Sequence, residues 1–156
     1  MNATTERSIT VTINGTTYER EVEARKLLIH FVRDDLDLTG SHIGCDTGNC
    51  GACSLIVDGT LVKSCMMLAV QADGATIESV EGLADGDERN KLQKSFREHH
   101  ALQCGYCTPG MLMSATALLR ANPHPSDDEI KKALQGNICR CTGYWNIFEA
   151  VKAAAE

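Results

Sequence analysis

The first half of the chain alternates apolar and polar residues, a pattern typical of β-strands with one buried face. Between residues 9 and 13, isoleucine and valine occupy the odd positions and threonine the even ones. The Asn14–Gly15 pair that follows is typical of a two-residue turn between antiparallel strands, and it predicts a return strand that reaches Val22. We therefore predict a β-hairpin for these residues.

Three further elements complete this half. Leu27, Leu28 and Phe31 have the spacing of a short helix that packs on the sheet. A second hairpin is predicted around the Asp58–Gly59 turn, which joins two apolar segments, and residues 76–80 supply a last strand. The first half is thus predicted to be a small mixed α+β domain.

The second half has the periodicity of helices, and four short helices packed as a bundle are its simplest interpretation. The Thr108–Pro109 pair is typical of a helix start, with Thr108 as the N-cap. Ser126 and Glu129 form the capping box of another helix, which ends near Gly136. Apolar stripes of three of these helices are formed by Leu92 and Phe96, by Met111, Leu112, Ala115, Leu118 and Leu119, and by Ile147, Val151 and Ala154.

The segment between Glu81 and Asn90 is rich in Gly, Asp and Glu and has no apolar periodicity, as is typical of a connector between two cores. We place the boundary near Gly86 and predict a sheet domain over residues 1–83 and a helical domain over residues 84–156. A chain of 156 residues is long enough for two such small domains.

Composition and charge narrow the classes of function. The formal net charge is −6, and no run of Lys or Arg offers a surface for nucleic-acid phosphates. The N-terminal residues lack the apolar core of a secretory signal, and nowhere do about 18 apolar residues run together. We therefore expect a cytoplasmic protein with no nucleic-acid partner; attachment to the inner face of the membrane through a complex and export together with a partner are the alternatives.

The chain contains eight cysteines, which fall into two groups of four. Thiols rarely form structural disulfides in a reducing compartment, so their number and clustering favour metal ligation or redox chemistry. One group lies in each predicted domain.

The first group begins in HIGCDTGNCGAC, where Cys45, Cys50 and Cys53 have the C-x4-C-x2-C spacing of plant-type [2Fe–2S] proteins. A fourth ligand is expected further along the chain, and Cys65 is the candidate. The register of the predicted second hairpin places Cys65 opposite Ala52, which returns it beside Cys53.

The glycines of this loop agree with a cluster site. Gly44, Gly48 and Gly51 allow positive φ and let backbone N–H groups approach the sulfurs, where they would stabilise a reduced cluster. A structural zinc ion or a disulfide is the alternative, although zinc favours paired C-x2-C turns over a three-cysteine loop.

The second group comprises Cys104 and Cys107 in QCGYCTPG with Cys139 and Cys141 in NICRCTGYW. Both pairs lie at predicted helix N-termini, where free N–H groups and the helix dipole favour a negatively charged ligand set. Spacing alone leaves the identity of this site open, because C-x2-C with C-x-C also occurs in zinc sites and in redox-active dithiols. If the first site holds a one-electron centre, a second such centre would allow the chain to relay electrons between the two.

Four segments together resemble a known family. GCDTGNCGAC, KSCMMLA, LQCGYCTPGM and GNICRCTGYWNI occur in this order and span nearly the whole chain. They resemble the small iron–sulfur subunit of molybdenum hydroxylases of the xanthine oxidase family, and HIGCDTGNCGAC is most similar to small subunits of the aerobic carbon monoxide dehydrogenase type. The resemblance implies an α+β fold, in which a plant-ferredoxin-like (β-grasp) domain precedes an all-α four-helix-bundle [2Fe–2S] domain.

The resemblance also implies partners and a function. The partners would be a large molybdopterin-binding subunit and a medium FAD-binding subunit, in a dimer of heterotrimers. Single electrons would pass from molybdenum to FAD through two [2Fe–2S] clusters, and the complex would oxidise carbon monoxide, an aldehyde or an N-heterocycle. By motif match, Gln103 would contact the pterin and Cys141 would be the cluster ligand nearest to it.

The length of the chain bears on its activity, and two other functions compete with the one that the resemblance implies. It ends soon after the helical domain without a fused FAD or molybdenum segment, so we expect no hydroxylase turnover from it alone. A free-standing two-cluster electron carrier and a zinc-bound binding module are the competing hypotheses; iron and sulfide content separates the second of these from the others.

Overall fold

The structure, a computed structural model, describes residues 5–155. Its first half contains five strands: β1 (Glu6–Ile13), β2 (Thr16–Glu23), β3 (Ser54–Val57), β4 (Thr60–Lys63) and β5 (Thr76–Glu78). They form one sheet in the order β2-β1-β5-β3-β4. β1 and β5 run parallel, whereas all other neighbours are antiparallel.

Both predicted hairpins are confirmed. Asn14–Gly15 forms the first turn and Asp58–Gly59 the second, and all four turn residues have positive φ. In the second hairpin Val57 pairs with Thr60, which is the register that the sequence predicts.

The helix between the hairpins is also confirmed. α1 (Leu28–His30) continues as a wider helical turn over Phe31–Asp35, and its buried side chains cover the sheet. The last strand, β5, stops short of the predicted end at Val80. The N–H of Ser79 donates instead to Oδ1 of Asn14 at 3.0 Å, which takes this residue out of the strand ladder.

The four predicted helices of the second half are present. They are α2 (Lys91–Glu98), α3 (Thr108–Ala121), α4 (Asp127–Leu134) and α5 (Trp145–Ala155). The capping box of α4 forms as predicted, with reciprocal bonds between Ser126 and Glu129. No helix within residues 5–155 is long and apolar enough to cross a membrane.

The start of α3 differs from the prediction by one residue. Thr108 is the first residue of the helix rather than its N-cap, and Cys107 takes the cap position with helical φ and ψ. The reason is that the C=O of Cys107 already accepts the N–H of Met111 at 3.0 Å. The turn that carries Cys107 therefore runs directly into the helix.

Two apolar cores form, and β3 borders both of them. Leu55 and Val57 pack into the core under the sheet, whereas Ile56 packs with Phe96 and Met111 in the core between the helices. All four residues of β3 are buried, as expected for a strand that is covered on both faces. Because β3 begins directly after Cys53, this packing places the first cysteine group where the two domains meet.

Candidate metal centres

The first group of cysteines, which we call the sheet site, comprises Cys45, Cys50, Cys53 and Cys65. Cys53 precedes β3 and Cys65 follows β4, so the hairpin returns one residue to the other as predicted. The N–H and the hydroxyl of Ser64 both donate to the C=O of Cys53, at 3.4 and 2.6 Å. Cys53 and Cys65 are buried with their thiols in contact.

Backbone N–H groups of the loop point at the sulfur of Cys45. The N–H of Thr47 donates to this Sγ at 3.4 Å, and the N–H of Cys50 donates to it at 3.3 Å. The backbone and hydroxyl of Thr47, followed by the Cys50 N–H, lower the pKa of Cys45 to about 6. The thiolate, which is the form that binds metal, is therefore favoured at this position.

The loop glycines confirm the prediction of positive φ at two of three positions. Gly48 and Gly51 both have φ of +75°. Gly44 does not adopt a positive φ. A glycine is needed there because it has no side chain: a Cβ at this position would come within 2.8 Å of the Cys50 sulfur. The three glycines thus shape the loop in two different ways.

The buried end of the sheet site disfavours ionisation in the absence of a cation. Burial, and after it the neighbouring Cys53 thiol, raise the pKa of the Cys65 thiol to about 11. The backbone N–H of Gly48 acts in the opposite direction. A bound metal ion would supply the positive charge that two adjacent buried thiolates require.

The second group, which we call the helical site, comprises Cys104, Cys107, Cys139 and Cys141. The structure brings the two halves together as predicted, because the Sγ atoms of Cys141 and Cys104 lie 3.5 Å apart. Cys107 contacts the thiol of Cys139, and burial together with this contact raises the pKa of Cys107 to about 12. The four thiols therefore meet in two pairs.

Cys139 is the buried cysteine of the helical site, and several hydrogen-bond donors surround its sulfur. Its Sγ lies 3.0 Å from the hydroxyl of Thr142 and accepts the N–H of Thr142 at 3.4 Å. Burial acts to raise the pKa of Cys139, but the donors outweigh it and the pKa is lowered. The N–H of Cys139 in turn donates to the hydroxyl of Tyr144 at 3.0 Å.

The expected placement at helix N-termini holds closely for one pair only. α3 begins directly after Cys107. Cys141 is separated from α5 by residues 142–144, in which Gly143 and Tyr144 have positive φ. The loop before α5 therefore turns back on itself, and local N–H groups rather than the helix end approach the sulfurs.

The donor set of each site fits a two-iron cluster. All eight cysteines are free thiols, so the disulfide alternative is not realised. A zinc site needs four ligands about one ion, whereas a [2Fe–2S] cluster distributes four thiolates over two irons. The thiols of the helical site meet in two pairs, and Cys53 and Cys65 form one such pair in the sheet site, which agrees with the second arrangement.

The two sites are connected across the contact between the domains, which we call the seam. The C=O of Cys50 accepts the N–H of Ile138 at 2.8 Å, and Ile138 is the neighbour of Cys139 in the chain. At the same place α3 approaches the loop so closely that a Cβ on Gly110 would overlap the carbonyl of Gly51. One backbone hydrogen bond thus links a residue of the sheet site to the helical site.

Sequence analysis did not identify several residues of the seam. The ammonium group of Lys63 donates to the C=O of Gly136, and the buried amide of Asn137 donates to Oγ of Ser114 at 2.7 Å. These contacts join residues that are far apart in the chain, and none of them belongs to a local pattern. The position of Asn137, between Gly136 and the pair Cys139 and Cys141, was a sequence feature that could have indicated a role in this contact.

Comparison with protein families matches both halves of the chain. Residues 11–84 match the 2Fe-2S iron-sulfur cluster binding domain, and residues 79–152 match the [2Fe-2S] binding domain. These matches confirm the predicted order of a ferredoxin-like sheet domain followed by a helical cluster-binding domain. They overlap, so the exact boundary after residue 83 stays a prediction.

Known proteins resemble the chain over almost its whole length. It is 50% identical over 150 residues to the caffeine dehydrogenase subunit gamma of Pseudomonas sp. (strain CBB1), covering 94% of this chain and 90% of that one. It is 52% identical over 143 residues to the nicotine 6-hydroxylase small subunit of Paenarthrobacter nicotinovorans, covering 92% and 86%. The crystal structure of quinoline 2-oxidoreductase from Pseudomonas putida 86 matches with a TM-score of 0.94 and 49% identity over 97% of this chain and 95% of that one.

These relatives correct one expectation and establish another. They are caffeine, nicotine and quinoline oxidoreductases, so the closer similarity to the carbon monoxide dehydrogenase type is not supported. The motif HIGCDTGNCGAC is constrained by the geometry of the cluster loop, and it therefore does not report on the substrate of the complex. Two cluster-binding domains and full-length similarity to small subunits show that the chain belongs to the family of two-domain [2Fe–2S] small subunits of molybdenum hydroxylases.

Proposed function

We propose that this chain relays single electrons from a molybdenum site in a large partner subunit to FAD in a medium partner subunit. The observation that carries the proposal is the pair of four-cysteine sites, joined at the seam by the hydrogen bond from Ile138 to Cys50. A bound [2Fe–2S] cluster takes up and releases one electron at a time. The chain would contribute binding and orientation, with no bond-breaking step and no turnover by itself.

Each site would hold one cluster through thiolates supported by local N–H groups. Such donors stabilise negative charge on sulfur, and they are present at Cys45, at Cys104 and at Cys139. The proposed ligands of the sheet site are Cys45, Cys50, Cys53 and Cys65, and those of the helical site are Cys104, Cys107, Cys139 and Cys141.

An exposed apolar surface beside the helical site favours a subunit over a free-standing carrier. Ile138, Tyr144 and Trp145 are 53%, 40% and 66% exposed. Together with residues of α4 they line an open apolar cavity of ≈ 390 Å³. Exposed aromatic and aliphatic groups that adjoin such a cavity are typical of a protein interface, whereas a soluble carrier is rimmed with charge. We propose that the molybdenum subunit covers this surface.

The open edge of the helical site is where the pterin would approach. Cys104 and Cys141 are exposed, and Gln103 directly before Cys104 is exposed as well. Of these residues, Gln103 and Cys141 are the two that the family resemblance assigns to the pterin contact. Their exposure in the isolated chain is consistent with that role, because a partner must reach them. In this arrangement the sheet site would lie toward FAD.

We further propose that the complex oxidises an N-heterocycle. The support is the similarity to subunits of enzymes whose names specify caffeine, nicotine and quinoline. The residues that select substrate would lie in the large subunit, so an assay of the purified complex decides the matter. We expect turnover with at least one heterocycle of these classes; turnover with aldehydes alone would contradict this part of the proposal.

Metal analysis and copurification test the relay itself. The loaded chain should contain about four irons and four sulfides, and its reduced form should give two distinct paramagnetic signals. Purified from its native cells, it should appear with a larger molybdenum protein and a flavoprotein, in a dimer of heterotrimers in the cytoplasm. Stoichiometric zinc, a single signal, or a monomer without partners would each contradict the proposal.

A point substitution tests the proposed interface. Trp145→Ala should weaken binding to the molybdenum subunit at least about tenfold, because exposed tryptophans at apolar interfaces are frequent hot spots. His124→Ala, on the exposed loop between α3 and α4, is the matched control and should bind as the unaltered chain does. Equal binding by both variants would show that the partner lies elsewhere.

A further inference from the structure

A histidine and a tyrosine connect the two cysteine loops directly. His42 precedes the sheet site by three positions, and Tyr106 lies between the helical-site ligands Cys104 and Cys107. Nδ1 of His42 lies 2.8 Å from the C=O of Tyr106. The hydroxyl of Tyr106 donates to the C=O of Ile43 at 2.8 Å, and the two rings stack with centroids 4.5 Å apart and planes 21° apart. We call this pair the clamp.

The geometry of the clamp defines the direction of its hydrogen bonds. A carbonyl oxygen accepts and does not donate, so Nδ1 of His42 must carry a proton whatever the charge of the ring. His42 is itself held to the sheet-site loop, because its backbone N–H donates to the C=O of Ala52 at 3.1 Å. Two side-chain hydrogen bonds and one ring stack therefore join a fixed point of one loop to a fixed point of the other.

The clamp is a further link across the seam, separate from the backbone hydrogen bond and from the contact of Lys63 with Gly136. The hydrogen bond from Ile138 to Cys50 joins the loops at one place, and the clamp joins them at another. Because the clamp, the backbone bond and the contact of Lys63 with Gly136 lie at separate points, together they restrict both the distance and the orientation of the two loops. Tyr106 could instead be a surface residue that contacts only a partner protein. That role does not explain why both its hydroxyl and its ring contact the other domain.

We propose that His42 and Tyr106 are positioning residues that fix the separation of the two clusters and thereby the rate of electron transfer between them. This inference depends on the proposed function, since it requires a cluster in each site. Neither residue is a cluster ligand. The effect operates through geometry, because electron transfer between two centres and the magnetic coupling of their spins both weaken as the distance grows.

The first measurement is the opening of the seam. We expect hydrogen exchange at the Ile138 amide to rise about 30-fold in His42→Ala, which loses a ring stack and a hydrogen bond. Tyr106→Phe keeps the stack and the His42 contact but loses one hydrogen bond, so we expect a rise of about fivefold. His124→Ala serves as the matched control and should leave the exchange rate unchanged.

The second measurement is the coupling between the clusters in the fully loaded chain. In His42→Ala we expect the spin–spin splitting between the two reduced centres to shrink, and the transfer rate after flash reduction of one centre to fall. The individual g-values should not change. A merely structural role would lower the thermal midpoint without moving this splitting. Tyr106→Phe, which is nearly isosteric, should show the same changes to a smaller degree.

The outcomes separate this inference from the proposed function. If the unaltered chain lacks four irons or two signals, the relay is wrong, whatever the exchange data show. If it has both, and His42→Ala and Tyr106→Phe leave exchange at Ile138 and the splitting unchanged, the clamp does not position the clusters. Loss of partner binding in these variants with an unchanged splitting would likewise overturn the inference, because it would assign Tyr106 to the interface alone.

Discussion

The sheet site and the helical site each bring four cysteines together, but they draw them from very different lengths of chain. The sheet site gathers its four cysteines between residues 45 and 65, and one tight hairpin suffices to close it. The helical site draws on residues 104–141, and α3 and α4 must pack correctly before its two halves meet. A local site depends on turn geometry, whereas a distant one depends on the tertiary fold.

The two sites also differ in how completely the chain covers them. The sheet site has two buried cysteines, Cys53 and Cys65, backed by β3 and β4. The helical site has one, Cys139, while Cys104 and Cys141 remain exposed. The chain therefore covers the sheet site more completely than the helical site, whose open edge we propose a partner covers.

The largest expected effect comes from removing one ligand of each site in turn. Cys65→Ala and Cys139→Ala should each lose about two of about four irons and one of the two paramagnetic signals. Because the sheet site closes locally, its signal should be unaltered in Cys139→Ala. Iron analysis and low-temperature spectra of both variants test this independence.

The neighbouring substitution Met66→Ala supplies the control for this pair. Met66 is 65% exposed and adjoins Cys65, so it reports any general damage to the loop. It should retain all the iron. Loss of both signals from either cysteine variant would show that the two sites fold as one unit, and the contrast between them would fail.

The next effect concerns the seam, where the two regions meet. Gly110→Ala places a methyl group on the carbonyl of Gly51. Overpacking against backbone, which cannot move aside as a side chain can, should cost about 3 kcal/mol despite the better helix propensity of alanine. We expect the thermal midpoint of the loaded chain to fall by roughly 8 °C.

Gly86→Ala separates the steric effect from the conformational one. Gly86 has φ of +57°, but nothing lies within 4 Å of the position that its Cβ would occupy. Its substitution should cost only about 1 kcal/mol, from the left-handed backbone conformation. Equal destabilisation by the two variants would mean that the close approach at Gly110 does not hold the seam together.

The sequence predicts local features of the fold well. The turn pairs Asn14–Gly15 and Asp58–Gly59 specify both hairpins, and the register of the second one correctly returns Cys65 to Cys53. The capping box at Ser126 likewise marks the start of α4. Each of these signals lies within a few residues of the feature that it predicts, because turn and cap geometry is decided by adjacent side chains.

The seam could not be predicted in the same way. The contact of His42 with Tyr106 and that of Lys63 with Gly136 join residues far apart in the chain, and such pairs leave no periodicity. The start of α3 was misplaced by one residue for a related reason: a turn that carries Cys107 merges with the helix. Sequence patterns report faces and turns, whereas the docking of two domains is decided by shape.

A smaller effect distinguishes the donors of the helical site from those of the sheet site. Tyr144→Phe removes the acceptor for the N–H of Cys139. We expect a loss of about 1 kcal/mol and a shift in the spectrum of the helical centre only. The signal of the sheet site, which has no contact with Tyr144 among the described hydrogen bonds, serves as the internal control. A change in both signals would contradict the assignment of this donor to one site.

The smallest effect comes from an ion pair that crosses between the regions. The guanidinium of Arg120 on α3 donates two hydrogen bonds to Glu78 on β5, at 2.6 and 2.7 Å. The side chains are 52% and 32% exposed, so solvent screens the pair. Arg120→Ala should therefore cost only about 0.5 kcal/mol, or roughly 1 to 2 °C in the thermal midpoint. The pair of Lys131 with Asp128, within one helix, should contribute less still.

The pH dependence of this pair gives the sharper test. The hydrogen bonds from Arg120, opposed by partial burial and aided by its charge, lower the pKa of Glu78. A carboxyl group whose pKa is lowered on folding contributes stability above its unfolded pKa, about 4.3, and loses that contribution as the pH falls through the lower folded value. The unaltered chain and Arg120→Ala should therefore differ in thermal midpoint at neutral pH and converge in acid. A difference that persists or grows on acidification would show that Arg120 stabilises the seam by packing rather than by charge.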